Sequence, residues 1–100
     1  MIEELRTHYQ MRDAVTITGI DLGHLLNMLI ELRWMIEAAE LAKEQEQELL
    51  RVIELFGKTL LRNEGQISGV QRDTFLTTVR AQNGIVKVEL VDRIAKLLKS

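Results

Sequence analysis

The stretch between Gly23 and Gly57 contains neither proline nor glycine, so no residue in it interrupts a helix. Its middle, residues 43–48, consists of Lys, Glu and Gln, which are good helix formers. A continuous helix over residues 22–61 would be about 60 Å long, too long for a compact monomer with a radius of gyration of about 13 Å, and would need a second copy. Typical helix lengths favour instead an α-hairpin that turns within residues 43–48. Both arrangements stay open at this point.

The apolar residues change sides along the first half of this stretch. One stripe, spaced for a single helix face, consists of Leu22, Leu25, Leu29, Leu32 and Ile36. After Arg33 the opposite side becomes apolar, with Trp34, Ala38, Leu41 and Ala42. A surface helix on one core keeps one buried face, so this pattern predicts a helix between two layers, or one that contacts its own core and then a second subunit.

The same pattern predicts a homodimer that joins through residues 25–56 and presents a surface to a protein partner. The residues assigned to the protein interface are the large apolar side chains of this region, Leu25, Leu29, Leu32, Trp34, Met35, Leu41 and Phe56. Side chains such as Trp34 and Phe56 are more typical of a core or a subunit contact than of a ligand pocket.

Shorter elements are predicted before and after this region. Apolar residues at helical spacing indicate a helix over Ile2–Arg12, and the β-branched run Val15–Thr18 indicates a strand. Ser68 and Gln71 match a capping box, in which each side chain accepts a hydrogen bond from the other residue's backbone N–H. A helix from Gly69 to about Gln82 is expected to follow.

The last part of the chain is predicted to hold one more strand and one more helix. Asn83 and Gly84 favour the left-handed backbone that ends a helix, residues 85–88 look extended, and residues 90–98 have one clean apolar helix face. We expect residues 15–18 and 85–88 to pair. The sequence thus predicts a single, mainly α domain over residues 1–100, with four to five helices around a long central helix or α-hairpin and a minor two-stranded β element.

Composition bears on the compartment. The chain has 46% hydrophobic residues and no cysteine, which allows one core without disulfides or thiolate metal sites. Residues 1–4 lack the basic and apolar regions that begin a secretory signal. The most apolar window, Leu22–Ala42, still contains Glu31, Arg33 and Glu37, more charge than a membrane span carries. We therefore expect a cytoplasmic protein that does not span a membrane.

Groups that do chemistry are sparse in this sequence. The histidines are His8 and His24, and the serines, Ser68 and Ser100, lie outside any nucleophile-elbow motif. Two acid–histidine pairs are spaced to share a helix face, Glu4 with His8 and Asp21 with His24. Two ligands do not make a metal site, and such pairs are typical of solvated ion pairs. Glycine spacing matches no phosphate-binding loop. We predict no catalytic residue, no metal and no cofactor, and hence no enzyme.

The last third of the chain is basic. Residues 1–64 contain 7 Lys and Arg against 12 Asp and Glu, a net charge of −5, whereas residues 65–100 contain 6 against 3, a net charge of +3. A helix, a turn, a second helix and a strand over residues 85–90 would follow the element order of winged-helix DNA readers, without a match of motifs. The candidate nucleic-acid contacts would be Gln71, Arg72, Thr74, Thr78 and Arg80.

Features that oppose nucleic-acid binding are the central Asp73 and the absence of a wing rich in Lys and Arg. The leading functional prediction is therefore a non-enzymatic protein-interaction module, an adaptor, regulator or inhibitor of a larger assembly. The alternative is a DNA-binding transcriptional regulator that reads DNA through residues 66–90.

Overall fold

Four helices and a small antiparallel sheet make up the computed structural model, which describes residues 14–82 and 84–99. In chain order the elements are β1 (Val15–Thr16), α1 (Gly19–Ala38), α2 (Lys43–Arg62), β2 (Gln66–Ile67), α3 (Gly69–Arg80) and α4 (Val88–Lys99). The prediction of a mainly α fold with a minor β element is confirmed. The predicted helix over Ile2–Arg12 lies outside the described residues.

The long apolar stretch folds into an α-hairpin, and the alternative of one continuous helix is wrong. The reversal occupies residues 39–42, before the predicted position, and residues 43–48 form the first turns of α2. Glu40 adopts a left-handed backbone with φ of 53°, and the Ala39 N–H donates to the carbonyl of Ile36. Helix propensity does not indicate this position because all the residues around it favour helix. The reversal also lets Leu41 pack against the core from the loop.

The buried face of α1 runs along one side for its whole length. It consists of Leu25, Met28, Leu29, Leu32 and Ile36. The predicted change of side after Arg33 is wrong, since Trp34 and Ala38 are exposed. The prediction treats Leu41 and Ala42 as part of this helix. Because α1 ends at Ala38, these two residues lie on neither side of it.

The core lies between the hairpin and the last two helices. α1 packs against both α2 and α4, and α3 packs against α4 and α2. The rings of Phe56 on α2 and Phe75 on α3 stack with centroids 4.0 Å apart and an interplanar angle of 10°. The radius of gyration of 14.2 Å is close to that of a compact monomer of this length, which the rod would have exceeded.

The sheet joins the start of the described chain to the α2–α3 connection. Val15 lies opposite Ile67 in antiparallel register, and the Ile17 N–H extends the contact by donating to the Gly65 carbonyl at 2.8 Å. The strand predicted at residues 15–18 is therefore present in shortened form, but its predicted partner is wrong.

Residues 85–88 do not form the predicted strand with residues 15–18; within them only Val86 makes a single β-bridge. The N–H groups of Ile85 and Val86 both donate to the Gln82 carbonyl, at 3.1 and 3.0 Å, and Val88 already begins α4. The backbone N–H groups of Ile85 and Val86 are thus used within the turn that follows α3. The same finding removes the strand over residues 85–90 from the winged-helix comparison.

The capping box predicted at Ser68 and Gln71 is confirmed. The Gln71 N–H donates to Ser68 Oγ at 3.1 Å, and the Ser68 N–H donates to Gln71 Oε1 at 3.0 Å. These bonds satisfy two donors that the first turn of α3 would otherwise leave free. α3 begins at Gly69, as predicted.

Gly65 is the position where the fold depends most directly on glycine. Its φ is +87°, and a Cβ atom there would overlap the backbone carbonyl of Ile17, the residue that follows β1. We expect Gly65→Ala to lower the free energy of unfolding by more than about 2 kcal/mol, because steric overlap adds to the cost of a left-handed alanine.

Gly84→Ala is the matched control, because Gly84 also has a left-handed φ, +91°, but no atom lies within 4 Å of the position that its Cβ would take. Its cost should be limited to about 1–2 kcal/mol. Urea unfolding followed by circular dichroism measures both values, and equal losses would contradict the close approach of Gly65 to Ile17.

Candidate protein-interaction surface

A stripe of residues runs along the side of α1 that faces away from the core. We call it the outer stripe, and it consists of Ile20, Gly23, Asn27, Ile30 and Trp34. All five are exposed. They are spaced alternately three and four residues apart, which keeps them on one side of the helix. The same spacing is found where two helices pack against each other in a coiled coil.

Large apolar side chains dominate the solvent-facing area of this stripe. Ile20 is 79% exposed, Trp34 is 65% exposed and Ile30 is 43% exposed. Since the opposite side of α1 is buried against α2 and α4, the helix is apolar on two opposite sides. A helix of that kind is typically covered on both sides, and contiguous exposed apolar patches mark interaction sites.

A groove between α1 and α2 borders the outer stripe. It has a volume of about 300 Å³, and Leu26 and Ile30 of α1 and Leu61 of α2 line it together with Gly57. Charged side chains lie at its rim, where Lys58 Nζ is 3.4 Å from Glu54 Oε1 in an exposed ion pair. The outer stripe and this groove therefore form a joined apolar surface with a charged border, which resembles the anatomy of a protein interface.

A second apolar groove lies between α2 and α3, on another side of α2. It has a volume of about 310 Å³, and the stacked rings of Phe56 and Phe75 line it. Leu55 and Val70 also line it and are 64% and 58% exposed. This groove is separate from the outer stripe because no residue of the stripe lines it.

Most of the residues assigned to the interface from the sequence lie inside the single chain. Leu25, Leu29, Leu32 and Phe56 are core residues, and Met35 and Leu41 are partly buried against the core. Side chains buried within one chain present little area to another, so these six residues do not form the exposed surface. Of the seven residues, Trp34 is the one with a largely exposed side chain.

The sequence interpretation missed Ile20, Gly23 and Ile30. Their alternating spacing with Asn27 and Trp34 is visible in the sequence, but it lies opposite a stronger leucine stripe. Periodicity alone does not tell which of two apolar sides faces the protein's own core.

The side chains proposed to contact nucleic acid all lie on α3. Gln71 is engaged in the capping box, and the Thr78 hydroxyl donates to the Thr74 carbonyl at 2.9 Å. Arg72 Nε donates to Asp73 Oδ1 at 3.0 Å, and Arg80 is exposed. Three of the five candidates thus already make local hydrogen bonds.

The described residues contain no group of three or more His, Asp or Glu side chains placed to hold a metal ion. Asp21 and His24 are both exposed on α1, whereas Glu4 and His8 lie outside the described part of the chain. None of the helices that the structure describes has the length and apolar character needed to cross a membrane.

Comparison of the chain with protein-family models, with curated protein sequences and with solved structures found no match. What the protein does must therefore be inferred from its own surface.

Two neighbouring residues of α2 test the division between core and surface. Phe56→Ala should lower the free energy of unfolding by about 3–5 kcal/mol, because it removes a buried ring that stacks on Phe75. Leu55→Ala should change it by no more than about 0.5 kcal/mol, since Leu55 is largely exposed. Urea denaturation gives both values, and a large loss for Leu55→Ala would mean that the α2–α3 groove is covered.

Proposed function

We propose that this chain is a small helical protein-interaction module without catalytic activity, which forms a homodimer and acts as an adaptor, regulator or inhibitor of a larger assembly. The observation that carries the proposal is the outer stripe, where Ile20, Ile30 and Trp34 expose apolar area on the side of α1 opposite the core. The proposed contact lies along residues 20–34. It is shorter than the region predicted from the sequence, residues 25–56, and it begins nearer the start of α1.

The exposed part of Trp34 is the largest single contribution to this surface. Burying most of a tryptophan that is 65% exposed yields about 2–4 kcal/mol, from roughly 25 cal/mol per Å² of apolar area. In a symmetric dimer both copies bury Trp34, so this free energy is gained twice. Tryptophan is also among the residue types most often found at the energetic centre of protein interfaces.

The remaining features agree with a binding role. The groove beside the outer stripe is lined by Leu26, Ile30 and Leu61, and the exposed ion pair of Glu54 and Lys58 lies at its rim. We also propose that the protein is cytoplasmic. The chain has no cysteine, and its most apolar window, Leu22–Ala42, contains charged residues.

DNA binding through residues 66–90 is the weaker alternative. Its support is the net charge of +3 over residues 65–100. Against it, Arg72 Nε already donates to the adjacent carboxylate of Asp73, and the Thr78 hydroxyl donates to a carbonyl of its own helix. Salt-dependent binding of duplex DNA that Arg80→Ala weakens would favour it over a protein-binding role.

Trp34→Glu tests the proposed function. It should abolish self-association while leaving the melting temperature of the monomer, measured at low concentration, nearly unchanged, because the side chain contributes to the surface and not to the core. Sedimentation equilibrium from about 1 to 500 µM covers the range expected of a contact at the small end of specific interfaces.

Leu55→Glu is the matched control, since Leu55 is nearly as exposed as Trp34 but lies at the α2–α3 groove. It should leave self-association intact. Because the chain contains a single Trp, the emission maximum of the unchanged protein should shift to shorter wavelength as association buries that ring. A monomer at every concentration, with constant emission, would contradict the homodimer.

A further inference from the structure

We propose that the outer stripe pairs with the outer stripe of a second copy in an antiparallel arrangement, with Trp34 of each copy covering the partner's Gly23. The inference rests on the homodimer proposed above and specifies how its two subunits meet. Its basis is the match of large with small residues, and of an acid with an imidazole, that appears when α1 is placed against a second α1.

The register follows from full overlap of two α1 helices. When they run in opposite directions, Gly19 of one copy lies opposite the partner's Ala38. Trp34, four residues before the end, then lies opposite the partner's Gly23, four residues after the start. Gly23 has no side chain, and no atom lies within 4 Å of the position that a Cβ would take. The largest side chain of the stripe thus meets its most open position, and it does so twice.

An acid and an imidazole beside the stripe also face each other in this register. His24 and Glu31 lie on the same side of the stripe, seven residues apart, and a two-fold axis perpendicular to the helices keeps that side next to the same side of the partner. Glu31 then lies about 3 Å along the helix axis from the partner's His24, at a rise of about 1.5 Å per residue. The acid and the imidazole face each other at two symmetric places.

The centre of the stripe accommodates its polar residue. Asn27 lies opposite the partner's Ile30 and about 4.5 Å along the axis from the partner's Asn27. The two amides can therefore reach each other near the two-fold axis, which gives a polar group at the seam a hydrogen-bond partner.

A parallel pairing lacks this match of sizes. It would place Trp34 against Trp34 and Gly23 against Gly23, so that one layer would be crowded and another would be left open. The antiparallel arrangement is therefore the one in which this surface is complementary to itself, as a two-fold contact requires.

Disulfide trapping distinguishes the two directions, because the chain has no cysteine of its own. In the antiparallel register Ile20 lies beside the partner's Ala38, whereas two Ile20 residues lie about 25 Å apart, far beyond the Cα separation of about 4.4–6.8 Å in a disulfide. Under mild oxidation, an equimolar mixture of the Ile20→Cys and Ala38→Cys variants should form the mixed disulfide, identified by its intact mass. Each variant alone should stay uncrosslinked.

A disulfide between two Ile20→Cys chains, in a protein that sediments as a dimer, would overturn the antiparallel arrangement and leave the proposed homodimer standing. A protein that sediments as a monomer would overturn both.

Gly23→Leu tests the pairing of Trp34 with Gly23 by a second route. Leucine should raise the melting temperature of the monomer, because glycine is a poor helix former and the position is open. It should also raise the dimer dissociation constant at least tenfold, because it occupies the space of the partner's Trp34. If Gly23→Leu strengthened association, as added apolar area would in an unspecific contact, the register would be wrong.

Discussion

The reversal of the chain at residues 39–42 makes the compact fold possible. By ending α1 at Ala38, it lets α2 fold back along α1 and bury Ile53 and Phe56 within the same chain. The hairpin then supplies one wall of the core, and α3 and α4 supply the other. Without this reversal the same apolar residues would need a second chain to cover them.

In the folded hairpin, one side of α1 is buried and the opposite side is exposed. The side with Leu25 and Leu32 is fully used by the core, and on the other side most of Ile20 and Trp34 stays uncovered. Folding of the single chain gains no hydrophobic free energy from the area of Trp34 and Ile30 that stays in water. Association offers a way to gain it, which is why the outer stripe is the part of the molecule best suited to bind another protein.

Elements that depend on neighbouring residues were predictable from the sequence. The capping box at Ser68 and Gln71 is a local exchange of two hydrogen bonds, and it placed the start of α3 correctly. The partner of β1 was not predictable in the same way. Residues 85–88 are at least as rich in β-branched side chains as Gln66–Ile67. Gln66–Ile67 pairs with β1 because the end of α2 places Gly65 next to Ile17.

Sequence patterns were sufficient for the helical class, the leucine stripe that α1 buries and the cap of α3. The folded chain was needed to show that the reversal precedes Lys43, that β1 pairs with Gln66–Ile67 and that Trp34 faces outward. Spacing along a helix shows which residues share a side, whereas burial depends on which distant segment packs against that side and covers it.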